Sequence, residues 1–487
     1  MIKILFQHTM KKIYTIISIL FITITVNAQN AYDALTFSYF TPNGTARYTA
    51  MGGAFGALGA NLYTMSTNPA GTGILRKSEV GVSTSWTDNN ITSVFNNQKK
   101  SVDQSSFQLS NMGFVVVNPL SSGTGWKSVN FGFAYNHLNN YNQSFTVAGE
   151  NNESSLLDAQ TDHINQYPET ATDNPYYQAD LIFYDTLAQS YTNDFRLGDH
   201  YGAQQTHRVK TEGYAGEYDI NLSGNYNDFF YFGVTVGIQH ISYRNYTYHS
   251  ETALSNEIAL KNFESNDYLE AKGNGVNFKM GLMFKLTHMF RVGAAFQTPT
   301  VMNMRYNYWT DVYSTLDFGN GEEQKSGYSP MGEFGWDLKT PSRYSLSGAI
   351  VISRAAIISA EVEYADYSNL NIQASDYFFD DENQAINKTY KGAFNIKTGA
   401  EVRLWMLSLR AGATFMESPY ASTEPNIDNY KLMLSAGLGI TAGQLYFNAA
   451  YRYSENNNYY YMYGYESSKV ELQNKNNLFT VSAGYKF

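Results

Sequence analysis

The 487-residue chain contains no cysteine. That excludes a disulfide framework, a thiol nucleophile and any cysteine-ligated metal. Charge is also scarce, at 16% of residues, and acids outnumber bases 43 to 33 for a formal net charge of -10. No basic run interrupts this balance, so the electrostatic footprint of a nucleic-acid binder is absent. The histidines show no metal-ligand spacing, and only His240 suggests a member of a Ser-His-acid set. The chain therefore reads as a non-enzyme without metal or cofactor. Beyond residue 26 no stretch approaches the roughly 18 apolar residues that a spanning helix needs.

What the chain has instead is aromatic load and alternation. It carries 41 Tyr and 30 Phe, while its mean hydropathy is only -0.37. Phe230, Phe232, Val234, Val236 and Ile238 alternate with Tyr231, Gly233, Thr235, Gly237 and Gln239; Val276 to Lys285 does the same. A period of two puts one face of a strand in lipid and the other in a wet interior. Such strands centre near Val80, Leu109, Phe131, Ile220, Val234, Phe278, Val292, Leu346, Val362, Ile396, Leu409, Leu434, Phe447 and Val481. About fourteen is an even number, as single-chain bacterial barrels require. Short turns near Asn225-Asp228, Thr287-His288, Ser353-Arg354, Leu404-Trp405 and Thr441-Gly443 alternate with long connections. Turns of this kind face the periplasm and long loops face outward. The predicted fold is an all-β membrane protein, an antiparallel transmembrane barrel.

The termini agree. Lys11 and Lys12 precede the apolar run Ile13 to Val26 and the small-residue pattern Val26-Asn27-Ala28. This predicts a cleavable signal peptide over residues 1–28, and hence export. Residues 29–77 are rich in small residues, as in Met51-Gly52-Gly53-Ala54-Phe55-Gly56-Ala57-Leu58-Gly59 and Asn68-Pro69-Ala70-Gly71. They are too long for an idle tail and suit a confined space such as a barrel lumen. Residues 78–487 are the barrel. At the C-terminus Phe479, Val481, Ala483, Tyr485 and Phe487 alternate to the last residue. A final strand ending on Phe resembles the signal read by the outer-membrane barrel-assembly machinery, which assigns that role to Phe487.

Polar residues predicted to face the lumen include Glu361, Glu363, Lys397, Glu401, Arg403, Arg410, Arg452, Lys279, Lys285 and Arg291. Opposite charges on neighbouring strands pair most simply across the wall; guiding a charged head group is the alternative. In the longest connection, Asp173 or Asn174 suits a helix cap before Pro175. Tyr177, Leu181, Tyr184, Ala188, Tyr191 and Phe195 then recur at spacings of three and four. This predicts an outward helix whose Leu181, Tyr184, Ala188 and Tyr191 pack against other loops or wall an apolar groove.

The Met51-Gly52-Gly53-Ala54 stretch, Asn68-Pro69-Ala70, Gly275-Val276-Asn277-Phe278, Ala295-Phe296-Gln297-Thr298-Pro299-Thr300 and Thr340-Pro341-Ser342-Arg343-Tyr344 resemble the FadL/TodX-type outer-membrane transporters of hydrophobic compounds. The resemblance spans nearly the whole exported chain. It implies a fourteen-stranded barrel plugged by a hatch, in the Gram-negative outer membrane among its lipids and lipopolysaccharide. The implied activity is passive uptake of long-chain fatty acids or other hydrophobic ligands by a monomer. It further implies a lateral opening at an inward kink of the third strand, bordered by Asn68, Pro69 and Ala70. By position that strand is Val129 to Tyr141, with Gly132 a place for the bend. PorV-like components of a protein-secretion system resemble the same family, so an exported-protein partner is the rival reading.

Overall fold

The computed structural model describes residues 26–41, 43–121, 123, 125–353, 355–375 and 377–487. Fourteen antiparallel strands make a closed wall: β1 (Glu79–Phe95), β2 (Gln98–Pro119), β3 (Trp126–Asn140), β4 (Ala203–Tyr226), β5 (Phe230–Ala253), β6 (Leu260–Lys285), β7 (Phe290–Gln297), β8 (Arg343–Ile352), β9 (Ala356–Asp366), β10 (Gly392–Leu404), β11 (Leu407–Met416), β12 (Lys431–Ala442), β13 (Leu445–Tyr461) and β14 (Lys469–Lys486). The wall closes where β14 pairs with β1, from Glu79↔Lys486 to Val94↔Glu471. Each predicted strand centre falls inside one of these strands.

The alternation sorts faces as expected. On β14, Phe479, Val481 and Tyr485 are exposed, whereas Leu478, Thr480 and Ser482 are buried. Pairing of the last strand with the first closes the cylinder, as a hydrocarbon solvent demands. Tight turns join the strands at one rim. Asn227 and Asp228 both adopt positive φ (51° and 56°), as do Ser353 and Trp405, the backbone that hairpins of right-twisted strands require. Phe487 lies at this rim, and its N–H donates to the Ser78 carbonyl at 2.9 Å.

At the opposite rim the chain builds far more. β4, β5 and β6 run 24, 24 and 26 residues, against the roughly 9–11 that a tilted span uses. Their upper halves, with Gln143–Asn151 and Val301–Asp317, form an extension of the sheet beyond that span. One two-residue turn, Asn96–Asn97 between β1 and β2, also lies at this rim.

The predicted outward helix is not there. Asn174 does cap a turn, accepting from the N–H groups of Tyr176 and Tyr177, but the helix is only Pro175–Gln178. Asp180 then takes φ 55°, and Ile182–Asp185 pairs with Ser190–Asn193 as a hairpin. Leu181 is buried in a loop core with Leu157, Ile164, Phe195 and Phe263. Tyr184 stays exposed, its ring 5.2 Å from that of Tyr191, and Ala188 sits in the exposed turn. These four residues share no helical face. A helix does form earlier, at Leu156–Gln166, where Ser155 and Asp158 make a capping box.

Candidate functional site

The lumen has two storeys of opposite chemistry. In the lower one, towards the short turns, residues 43–77 pack inside the wall as short helical turns, with Tyr48, Met51, Phe55 and Tyr63 forming a small core. Backbone approaches backbone here: a Cβ on Gly412 would lie 2.2 Å from the Gly52 nitrogen, so only glycine fits. Wall charges clamp this insert. Glu401 accepts from Arg47 of the insert at 2.8 Å and from Arg403 and Arg410 at 2.6 Å each. Lys397 holds Glu361 at 2.9 Å and Glu363 at 3.0 Å, and Glu361 also accepts the Gly56 N–H at 2.8 Å. Lys279 is paired with Glu217 and with Asp219, while Ser66 donates to Glu217 at 2.7 Å. These charges thus pair across the wall and to the insert, which offsets the cost of burying them, while Arg291 donates to the Leu58 carbonyl of the insert at 3.2 Å.

Asn68 accepts from the Ala70 N–H at 3.1 Å and donates to Gly56 O at 2.7 Å and Leu282 O of β6 at 3.3 Å. Pro69 opens the 3-10 turn Pro69–Ile74. The tripeptide therefore rests on β4, β5 and β6, and a Cβ on Gly233 would meet the Pro69 carbonyl at 2.3 Å. Gly132 faces Met65 of the insert instead, and it sits in unbroken register with Val115 and Asn221. The third strand bends elsewhere. Its register shifts at His137/Asn139, pairing with β2 ends at Asn111↔Asn136, and Gln143–Asn151 pairs with β4 alone. Side chains of β1 and of its turn reach the backbone here: Asn89 donates to Asn142 O, just before the segment, at 2.7 Å, and Asn96 of the turn to Glu150 O at 2.7 Å. The chain has turned inward over β1. Among the described residues, β2 above Asn111 has no ladder partner on that side, so the wall is split there.

The upper storey is apolar. Leu138, Tyr141, Ile241, Tyr243, Met302, Met304, Trp336, Leu338 and Ile372 line it. Its cause is a change of phase in the wall. Along β7 and β8, Phe296 and Tyr344 face out while Gln297 and Arg343 face in. After Thr298-Pro299-Thr300 and before Thr340-Pro341-Ser342 the alternation is inverted. Val301 and Lys339 face out, while Met302, Met304, Leu338 and Trp336 are buried inside. In an uninterrupted strand Phe296 and Met302 would share a face.

A helix, α1 (Val26–Thr36), fills this storey. Ala31, Ala34, Leu35 and the following Phe37 are buried against the chamber walls. The Phe37 ring lies edge-on 5.5 Å from that of Tyr243, and Tyr390 donates to Ala31 O at 2.9 Å. Among the described residues Asp33 accepts from the Tyr306 hydroxyl, at 2.8 Å; burial pushes its carboxyl up to about 7. Of the leader expected over residues 1–28, the first 25 lie outside the described residues, and Val26 to Ala28 belong to α1. Alternation and loop length do not reveal this chamber; the two Thr-Pro breaks are its only signal.

No protein-family model and no curated protein matches the chain. Solved structures do. A Pseudomonas aeruginosa FadL homologue superposes with a TM-score of 0.54 at 13% identity, covering 92% of this chain and 100% of its own. The Pseudomonas putida toluene transporter TodX gives 0.52 at 12% identity, covering 91% and 99%. With its fourteen strands, plugged lumen and inturned third strand, the chain has the FadL/TodX-type barrel fold.

Proposed function

We infer that the chain carries small hydrophobic compounds passively across the outer membrane, as a transporter rather than an enzyme. The observation that carries this reading is the apolar chamber above a sealed polar lumen, beside a split in the wall. A chamber lined by Met, Trp, Tyr and Leu accepts an apolar ligand and rejects ions. The clamped insert below it blocks straight-through diffusion, which leaves the split beside β2 as the way out. In this scheme the leader is removed, residues 29–77 act as the hatch, and a ligand such as a long-chain fatty acid takes the space held by α1. Asn68, Pro69 and Ala70 hold the hatch against β4 to β6. Ser66, Glu217, Lys279, Asp219, Asn136 and Asn111 link it through one chain of polar contacts to the lower lip of the split. Phe487 serves assembly.

Native mass spectrometry of the detergent-purified protein tests the reading. Co-purified hydrophobic molecules, lost from a Trp336→Asp variant with intact barrel migration, are the expected result. A stoichiometric exported polypeptide and no small ligand would favour the secretion reading instead.

A further inference from the structure

The split beside β2 is not the sole weak place in the wall. The register on either side of the Thr-Pro breaks, Gln297↔Arg343 and Val301↔Lys339, sets Pro299 opposite Pro341. Neither proline has an N–H, so this rung forms no ladder hydrogen bond. The strands are held at this level by Thr300 N–H to Thr340 Oγ1 at 2.9 Å and Thr340 N–H to Thr300 O at 3.0 Å. The next strand is interrupted at the same height, where β9 gives way to the turn Tyr367–Asn369.

A cavity lies on each side of this seam. The outer one is lined by Pro299, Lys339, Thr340, Pro341, Tyr344 and Asn369, among others. The inner one lies beside the hatch, against Phe40, Tyr63, Gln297 and Arg343. Tyr344 lines both. The seam's height sets what can reach it. β7 holds eight residues between its short turn and the break, which at about 3.3 Å each and a tilt near 40° climbs roughly 20 Å, close to the top of an apolar band about 25 Å tall. Outward aromatic pairs ring that level: Phe296–Tyr344 at 5.2 Å, Tyr364–Phe394 at 4.9 Å and Phe415–Tyr430 at 5.7 Å. Below the outer cavity the surface is greasy; at it stand Lys339, Asp366 and Asn369. On the inner side the Arg343 guanidinium donates to Glu363 at 3.0 Å and to the Ser38 carbonyl at 2.7 Å, latching the chain below α1 to the seam.

We propose that the Pro299–Pro341 seam is a second lateral port, through which a single-chain amphiphile of the outer leaflet reaches the lumen. Its polar head rests at Lys339 and Asn369 while its tail lies along Phe296 and Tyr344. This rests on the transport reading but names a different route, from the bilayer rather than from water.

The test uses the full-length protein reconstituted in phosphatidylcholine vesicles, with a diazirine-bearing palmitate dissolved in the bilayer. After illumination, mass spectrometry maps the labelled peptides. The chain has no cysteine of its own, so Thr300→Cys with Thr340→Cys gives a single cross-link across the seam. Expected is label on 296–300 and 339–345 and on lumenal Phe40 and Tyr63, with the lumenal label falling at least five-fold on oxidation and returning on reduction. Pro299→Ala with Pro341→Ala restores two donors and gives the same fall without a cross-link. A control cross-link, Leu438→Cys with Ala449→Cys on an outward pair of β12 and β13, leaves the label unchanged. Lumenal label indifferent to both seam variants overturns the port alone. No lumenal label in the unaltered protein, even with the probe supplied from water, overturns the transport reading with it.

Discussion

The lower lumen is enclosed by the fourteen strands and the upper one by their upper halves together with Val301–Asp317 and Gly332–Lys339, yet one is held by ion pairs and the other by apolar contact. The difference lies in what each can let go. The lower storey cannot release its insert piecemeal, because removing one charged partner strands another in a dry interior. The upper storey holds α1 by burial of Ala31, Ala34, Leu35 and Phe37, a non-directional attraction that another apolar body can supply equally well. Under the proposed function one storey stays shut and the other exchanges its contents.

The sharpest way to break this contrast is Glu401→Ala. It leaves Arg47, Arg403 and Arg410 facing one another without their shared acceptor. A loss of about 3–5 kcal/mol is expected, read as a lower temperature of the heat-modifiable shift and as new ion conductance in planar bilayers. Undiminished stability with silent bilayers would show that the clamp does not hold the hatch. Next is Phe37→Ala, which vacates the chamber's ring contacts. It should weaken α1 docking by about 3 kcal/mol while barrel melting stays nearly fixed, measured as faster amide exchange confined to residues 30–37.

The third prediction concerns pH. Asp33 has its carboxyl raised from 3.8 to about 7 when α1 is docked, so the docked form binds a proton the free helix has lost. Docking is therefore tightest below pH 4, weakens as pH rises from about 4 to 7, and is level above that, a change of a few kcal/mol. Exchange of α1 amides, corrected for intrinsic rates, should follow this curve in the unaltered chain and flatten in Asp33→Asn. The smallest effect is expected from Asn68→Ala, which frees Gly56 O and Leu282 O and costs about 1–3 kcal/mol. Ligand transfer should fall with little change in barrel yield; a leak of small polar antibiotics instead would make Asn68 a plug fastener only.

The wall was legible because its physics is repetitive: one face of each span meets lipid, so Phe479, Val481 and Tyr485 announce a strand without any tertiary information. The paired charges were legible for a related reason, since Glu361 and Lys397 are cross-strand neighbours. The region of 173–195 misled because Tyr177, Leu181, Tyr184, Ala188 and Tyr191 imitate a helical spacing while Asp180 and Gln189 take positive φ, which turns the same spacing into a hairpin. Glycine suits a bend of β3 at Gly132, but the register shift falls at His137/Asn139, where no small residue marks it. The chamber stayed hidden because its lining alternates like any other strand, only with inside and outside exchanged.

That exchange has a meaning for how such a chain can vary. A strand's pattern is a wave of period two, and one extra residue is half a wavelength. Two such half-steps, side by side at the Thr-Pro breaks, let a single ladder be greasy outside where it crosses lipid and greasy inside where it stands in water. Drawing each break out into regular strand, with every residue kept, would turn the upper barrel inside out, setting Met302, Met304, Trp336 and Leu338 in solvent and Val301 and Lys339 in the lumen. The interior of the chamber and the exterior of the membrane span are thereby freed to diverge independently, separated by one punctuation mark in the backbone.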